Sequence, residues 1–381
     1  MKKTILIILA ILIVGVIIGG GYYLLQQKKS PEQKNISSQQ ESVSPNPKQE
    51  VYVPEQSSQE VSVKTIDIHT GLTQSQLVPP GQQYPAYLFK HTNGHYMIWL
   101  DSANDGKGML MYDGQQVSSQ SLTKMYNSGI APIGISRNGQ HYIYAVRNDS
   151  SDDLYIDGKK VATDVVIKDP TVTDDGQHYF YISQANRPDN NLGSTLLKKD
   201  GVQIYSHDQG ILSYQISSDG QHYLAQLRNT NPSNGYFVDS LIVDGKEILK
   251  ERNMRDGEWA LSNNGLHYGF IMSGPSDGNG YSTGNEELYI DGKKILDSKT
   301  LYGLKITDSG AYAVSAPEDK VFYTSLGTVP MQDPQNGAFI YINEAMSHYF
   351  AEGKLDGNAI NLPKGEIDLA ENDIFVYNLT K

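Results

Sequence analysis

Short apolar runs broken by Asp-Gly pairs recur along most of the chain: MLMYDGQQV from Met109, LYIDGKKVA from Leu154, LLKKDGVQI from Leu196, LIVDGKEIL from Leu241 and LYIDGKKIL from Leu288. Two such runs around a Gly turn make a β-hairpin. Asp-Gly and Asn-Gly supply the positive φ angles of a two-residue type I′ turn, whose twist matches that of its strands. A second hairpin alternates with the first and reads SRNGQHYIYAV from Ser136, TDDGQHYFYIS from Thr173, SSDGQHYLAQL from Ser217 and SNNGLHYGFIM from Ser262. Its His-Tyr pair fixes the register at His95-Tyr96, His141-Tyr142, His178-Tyr179, His222-Tyr223, His267-Tyr268 and His348-Tyr349, with Ala311-Tyr312 once in the same place. Successive tyrosines lie 46, 37, 44, 45, 44 and 37 residues apart.

Each repeat thus predicts four antiparallel strands, here a to d, with short a–b and c–d turns. Four strands every roughly 40 residues is the pattern of a β-propeller blade. The tyrosines count seven blades; six blades with extra strands is the alternative. The sixth is degenerate, since KVFYTSLGTV from Lys320 lacks Asp-Gly, and the last ends in DIFVYNLT with no clear fourth strand. VSVKTIDIHT, Val61 to Thr70, is a spare strand ahead of the first blade that would complete the last one and close the ring, removing its open edges.

Alternation of side chains puts Tyr142 and Tyr144 on one strand face and His141 and Ile143 on the other. The tyrosine is expected to fill space between blades, and the histidine to be buried, neutral and hydrogen-bonded to a nearby loop or turn. A metal ring is the other reading of six histidines. They sit one blade apart, however, and none has the i, i+2 or i, i+4 spacing of a ligand pair.

The SSDGQHY-type hairpin resembles the repeat of TolB-type and WD-repeat-like bacterial propellers, over about Tyr84 to the C-terminus. It lacks the Gly-His and Trp-Asp dipeptides of true WD repeats. The resemblance implies blade architecture and leaves activity open, because propellers host binding, scaffolding and catalysis alike.

The first 60 residues break the pattern. Ile5 to Leu25 is 21 residues without a charge, between Lys2-Lys3 and Lys28-Lys29. At about 1.5 Å per helical residue it spans roughly the 30 Å of a bilayer core, and it has no A-x-A-like cleavage site, so residues 1–29 read as a cytoplasmic tail and uncleaved transmembrane helix. The charge pattern puts the C-terminal domain outside, giving a single-pass cell-membrane protein with an extracytoplasmic body. Residues 30–60, rich in Ser, Gln, Glu and Pro, read as a disordered linker, and residues 61–381 as the propeller.

Composition supports strands and turns: 26 Tyr against 8 Phe and 2 Trp, with 36 Gly, in 381 residues. Cysteine is absent. Beyond the anchor there remain 27 basic and 43 acidic residues, a formal charge of −16. So acidic a surface repels phosphate backbones and excludes nucleic acid as a partner.

Catalytic motifs are missing: there is no G-x-S-x-G elbow, H-E-x-x-H or P-loop. Asp152-Asp153, Asp174-Asp175 and Glu286-Glu287 are paired carboxylates, but sequence neighbours usually point apart. No cofactor is expected. Calcium is one reading of Asp101–Gly106 and of Ser276–Glu287, and ordinary turn composition is the other. The b–c loops vary most in length, and in a propeller they share a face with the d–a connectors. Variation concentrated on one side marks the candidate binding face. Its connectors bring Tyr126, Lys168, Asp169, His207, Asp208, Arg255, Trp259 and Tyr302 toward the centre. The expected function is binding or scaffolding of a protein or envelope polymer such as a polysaccharide, with a surface hydrolase acting on glycans or peptides as the competitor.

Overall fold

The computed structural model describes residues 61–69, 87–101, 108–118, 133–148, 150–184, 194–230, 237–252, 254–274, 284–331, 340–344, 348–351, 354–356, 358–359, 362, 366–370 and 373–380. The predicted anchor and linker lie outside these residues. Seven four-stranded sheets follow one another along the described chain, at residues 87–118, 133–164, 167–207, 211–252, 254–298, 302–330 and 340–359. In each, consecutive strands pair antiparallel, in the order a-b-c-d. This is the predicted seven-bladed β-propeller.

Closure differs in one respect from the expectation. The strand Ser62–His69 does pair with Asp373–Thr380, parallel and in register from Ser62–Asp373 to His69–Thr380. The C-terminal strand, however, belongs to a separate three-stranded sheet whose other member is Glu366–Ala370. Ile374 and Val376 of this closing sheet pack on Phe350 of blade 7, while Ile68 and Tyr377 pack on Tyr96, Ile98 and Leu100 of blade 1. Blade 7 has a fourth strand of its own, Asn358–Ala359. Its c–d turn is the Asp-Gly of KLDGNA, overlooked because the strands beside it, Lys354–Leu355 and Asn358–Ala359, are two residues each.

The two sequence landmarks meet in a single contact. Each Asp of a c–d turn accepts the backbone N–H of the Tyr with one carboxylate oxygen and Nδ1 of the His with the other. In blade 4, Asp244 Oδ1 lies 2.9 Å from Tyr223 N and Oδ2 lies 2.8 Å from His222 Nδ1. The same fork joins Asp113 to His95, Asp157 to His141, Asp200 to His178, Asp291 to His267 and Asp356 to His348. Blade 6 has lost both halves together: Ala311 replaces the histidine, and Ser325 meets Tyr312 N at 3.4 Å. An ionised carboxylate only accepts, so Nδ1 carries the proton. The His rings also floor the next blade: a Cβ on Gly139 would stand 2.4 Å from His95, and one on Gly265 2.4 Å from His222. The tyrosines pack between blades as expected, Tyr112 lying 4.6 Å from Tyr142.

Two expectations change. The histidine side chains are 28–36% exposed rather than buried, His348 at 6% excepted, because they sit at the turn end of the blade. The c–d turns do have both central φ angles positive, as at Asp157 and Gly158, but in the a–b turns of blades 2 to 5 only the glycine does. There the Ser or Thr holds a longer turn by side-chain bonds. Ser136 Oγ accepts His141 N–H at 3.0 Å and donates to Asn138 Oδ1 at 2.7 Å, and Asn138 Oδ1 takes Gln140 N–H at 2.9 Å. Blade 1, with no Ser in HTNGH, reverts to the two-residue turn, Asn93 and Gly94 both having positive φ.

Candidate functional site

One a–b turn position is unconstrained by this hydrogen bonding, the x of [ST]-x-[DNS]-G. It reads Arg137, Asp174, Ser218, Asn263 and Asp308 in blades 2 to 6. These residues stitch the turns into a ring. Asn138 N–H donates to Asp174 Oδ1 at 2.8 Å, Asp174 N–H to Ser218 O at 2.9 Å, and Ser218 N–H to Asn263 O at 2.7 Å. Asn264 N–H donates to Asp308 Oδ1 at 2.6 Å, and Asp308 N–H to Glu344 Oε2 of blade 7 at 2.8 Å.

Arg137 leaves the circumference and crosses the ring. From blade 2 its guanidinium donates to Ile216 O of blade 4 at 2.7 Å, to Leu261 O of blade 5 at 3.5 Å and to Asn263 Oδ1. Asn263 Nδ2 passes the contact on to Glu344 Oε1 at 2.7 Å. Burial draws the Arg137 guanidinium down from the ordinary arginine value, and the Asp174, Asp308 and Glu344 carboxylates oppose it. Glu344 is an exposed residue whose carboxyl turns inward onto Asn263. Burial pushes it above the usual carboxylate range, Asp308 N–H lowers it, the Asp308 carboxylate raises it and Arg137 lowers it.

Above this floor is a cavity of about 1240 Å³. Its walls are inner strands of blades 4 to 7, with Gln215, Glu258, Trp259, Lys305 and Tyr341, and the closing sheet, with Asp368, Asp373 and Phe375. Gln215 is bonded to the blade 5 backbone, its Oε1 accepting Leu261 N–H at 2.9 Å and its Nε2 donating to Trp259 O at 3.3 Å. Glu258 Oε2 accepts Gly303 N–H at 2.7 Å, where the inner strand of blade 6 bulges and Gly303 takes φ 71°. Asp368 accepts Asn93 N–H at 2.6 Å, and Asp373 is held by Ser62 and Lys64 at 2.5 Å.

Of the residues expected on the candidate face whose side chains are described, Trp259 alone lines this cavity. It is buried, donates Nε1–H to Gln226 Oε1 at 3.2 Å and faces Phe270 across its hairpin. Lys168 and Asp169 sit on the inner strand of blade 3, Asp169 at a bulge with φ 46°, its carboxyl raised by burial against the pull of Lys90 and Lys168. Tyr302 opens the inner strand of blade 6, and Arg255 lies in the irregular stretch of blade 5 between Met254 and Trp259. His207 and Asp208 are set apart from these: His207 ends the outermost strand of blade 3, its Nε2 3.1 Å from Asn229 Oδ1, and Asp208 is exposed beside it. Tyr126 and most b–c loop residues lie outside the described residues, as do 102–106 and 276–283 of the two calcium candidates.

The paired carboxylates part as expected. Asp152 caps Ile167 N–H at 2.8 Å while Asp153 bonds Lys160 and Thr163. Glu286 caps Leu301 N–H at 2.5 Å while Glu287 bonds Lys294. The sequence reading missed the ring of Arg137, Asn263 and Glu344. Its signal was the variable x inside an otherwise constant turn.

Sheet order and repeat chemistry define a β-propeller. Among solved structures the chain is similar to the β-propeller domain of the Trilobed protease from Pyrococcus furiosus, at 13% identity and TM-score 0.37 over 65% of this chain and 77% of that one. It is also similar to TolB from Acinetobacter baumannii, at 15% identity and TM-score 0.30 over 52% and 47%, and to the Pyrococcus horikoshii acylaminoacyl peptidase, at 12% and 0.40 over 65% and 45%. The chain thus spans less than half the length of the latter two. No family model matches, and no curated protein does.

Proposed function

We propose that the protein is a binding or scaffold propeller for a protein or envelope polymer, held at the outer side of the cell membrane by residues 5–25, with its partner engaging the central cavity. The supporting observation is how the cavity's carboxylates are employed. Asp174, Glu258, Glu344 and Asp368 each accept at least one backbone N–H, and Asp373 is held by Lys64 and Ser62. These acids build the wall. A hydrolase needs a carboxylate poised for proton transfer or attack, and His207, the histidine of the expected candidate face, stands on an outer strand.

The test is photo-cross-linking in intact cells producing the full chain, with a photoreactive residue in place of Lys305 or Tyr341 in the cavity, and of Lys159 or Lys246 on the outer turns. Adducts from the cavity positions alone support the reading. Equal labelling from both groups, or release of sugars or peptides that stops on Glu258→Gln, would overturn it.

A further inference from the structure

The N-terminal strand Ser62–His69 is an unusual member of the ring. Its six positions Ser62, Val63, Lys64, Thr65, Asp67 and His69 are exposed, and Ile68 alone is fully buried. The sheet it completes has another source of support. Val376 and Ile374 of the C-terminal strand are buried against blade 7, and Tyr377 is buried against blade 1, where its hydroxyl accepts Gly94 N–H at 2.8 Å. The Phe375 ring lies on the same turn, 2.6 Å from where a Cβ of Gly94 would be. The hairpin of Glu366–Ala370 and Asp373–Thr380 is therefore wedged between both neighbours by its own side chains. The N-terminal strand adds a parallel ladder, the buried Ile68, the partly buried Ile66 packed in the same cluster, and a few polar contacts. An edge strand with so little burial belongs to the low end of local stability.

Its contacts through Ser62 and Lys64 fall on the cavity wall. Lys64 Nζ is 2.5 Å from Asp373 Oδ2 and 5.2 Å from the centre of the Phe375 ring, and Ser62 Oγ donates to Asp373 Oδ1 at 2.5 Å. Asp373 and Phe375 both line the cavity. With the strand in place the Asp373 charge is neutralised and the ring is covered by an ammonium. Without it, the wall gains a bare carboxylate and an open aromatic face.

We propose that Ser62–His69 is a displaceable latch: it leaves the closing sheet while the blades and the C-terminal hairpin stay seated, and its departure switches Asp373 and Phe375 to their uncovered state. The chain preceding Ser62 is covalently continuous with the latch, so a pull or a partner acting there is transmitted to the cavity. This regulatory role rests on the cavity being the binding site; the motion itself does not.

The experiment uses the full chain, which has no cysteine of its own. Asp67 and Asn378 are register partners whose side chains already touch at 3.1 Å, so Asp67→Cys with Asn378→Cys forms a reversible lock remote from Asp373. Two readouts are followed by mass spectrometry: hydrogen exchange, and carbodiimide labelling of carboxylates. In the unlocked protein, amides of 62–69 exchange at least tenfold faster than the blade 3 ladder at 167–184, and oxidation slows them at least tenfold. Oxidation also lowers Asp373 labelling threefold or more and leaves Asp368 unchanged. The proposal falls if residues 62–69 exchange only with blade 3, if locking leaves Asp373 labelling unaltered, or if Asp368 follows Asp373, which would make the whole closing sheet the moving unit. Neither readout involves a ligand, so failure of the cavity reading leaves these results standing, and failure here leaves that reading intact.

Discussion

At the scale of single residues, the repeated aspartate is the centre of the motif and the repeated histidine its accessory. Asp244 occupies the left-handed region at φ 49° and satisfies two donors, one of them a backbone amide. Asp244→Ala removes both acceptors and puts a Cβ residue without local hydrogen bonding where Asp is tolerated, so a loss of about 1–3 kcal/mol is expected. Asp244→Asn keeps the backbone preference and one acceptor, and should cost less. His222 is about a third exposed, and exposed pairs contribute little, so His222→Ala should cost under about 1 kcal/mol. Urea titrations of the three variants check the order; a histidine effect as large as that of Asp244→Ala would reverse it. In blade 6, which lacks the His, the Asp is absent as well and Ser325 meets the Tyr312 amide instead.

At the scale of the element, the a–b turn solves one geometric problem with two side chains. Blades 2 and 5 use Asn138 and Asn264 where blades 3 and 4 use Asp175 and Asp219, each accepting the amide two residues on. The hydrogen bond from Thr173 and the Gln177 amide hold the Asp175 carboxyl below its usual range; at Asp219 slight burial opposes, and Ser217 and the Gln221 amide prevail. A carboxylate whose pKa is depressed in the fold stabilises it above the unfolded value, near 3.8, and that contribution is lost as pH falls through the folded value. The double variant Asp175→Asn, Asp219→Asn should therefore match the parent at pH 7 and lose less stability between about pH 4 and 2. Urea midpoints measured across that range decide it, and parallel curves for both proteins would refute the assignment. Such turns were legible in the sequence because Ser, Asn or Asp, and Gly each carry a local reason for their place. The site was less so. Arg137 draws its meaning from Ile216, Leu261 and Asn263, some 80 to 126 residues away, and no local pattern shows which way a long side chain will reach. The closing sheet was half legible: the spare strand announced itself, but its partner's separation from blade 7 depended on two-residue strands too short to leave a period.

At the scale of the whole ring, the turn end is held by a charge network spanning the axis. Arg137 is surrounded by Asp174, Asp308 and Glu344, and two of its bonds go to the main-chain carbonyls of Ile216 and Leu261. Arg137→Ala leaves those acceptors and the Asn263 amide oxygen short of a donor and removes the neutralising charge, a change expected to cost about 3 kcal/mol or more. Arg137→Lys keeps the charge, but its single ammonium does not reproduce the planar fork that reaches blades 4 and 5 together, so it should recover only part of the loss. Glu344 supplies the control. Its carboxyl is raised by burial, so its ionisation opposes folding once pH exceeds the folded value, and that penalty disappears as pH falls back through it. With Arg137 gone the penalty grows. Glu344→Gln, whose single amide oxygen retains one of the two acceptors used by Asn263 and Asp308, should then be less destabilising in the Arg137→Ala background than in the parent. A double-mutant cycle at pH 7 measures the coupling directly; strict additivity would mean that Arg137 acts through its carbonyl contacts alone and that the acidic ring is screened from it.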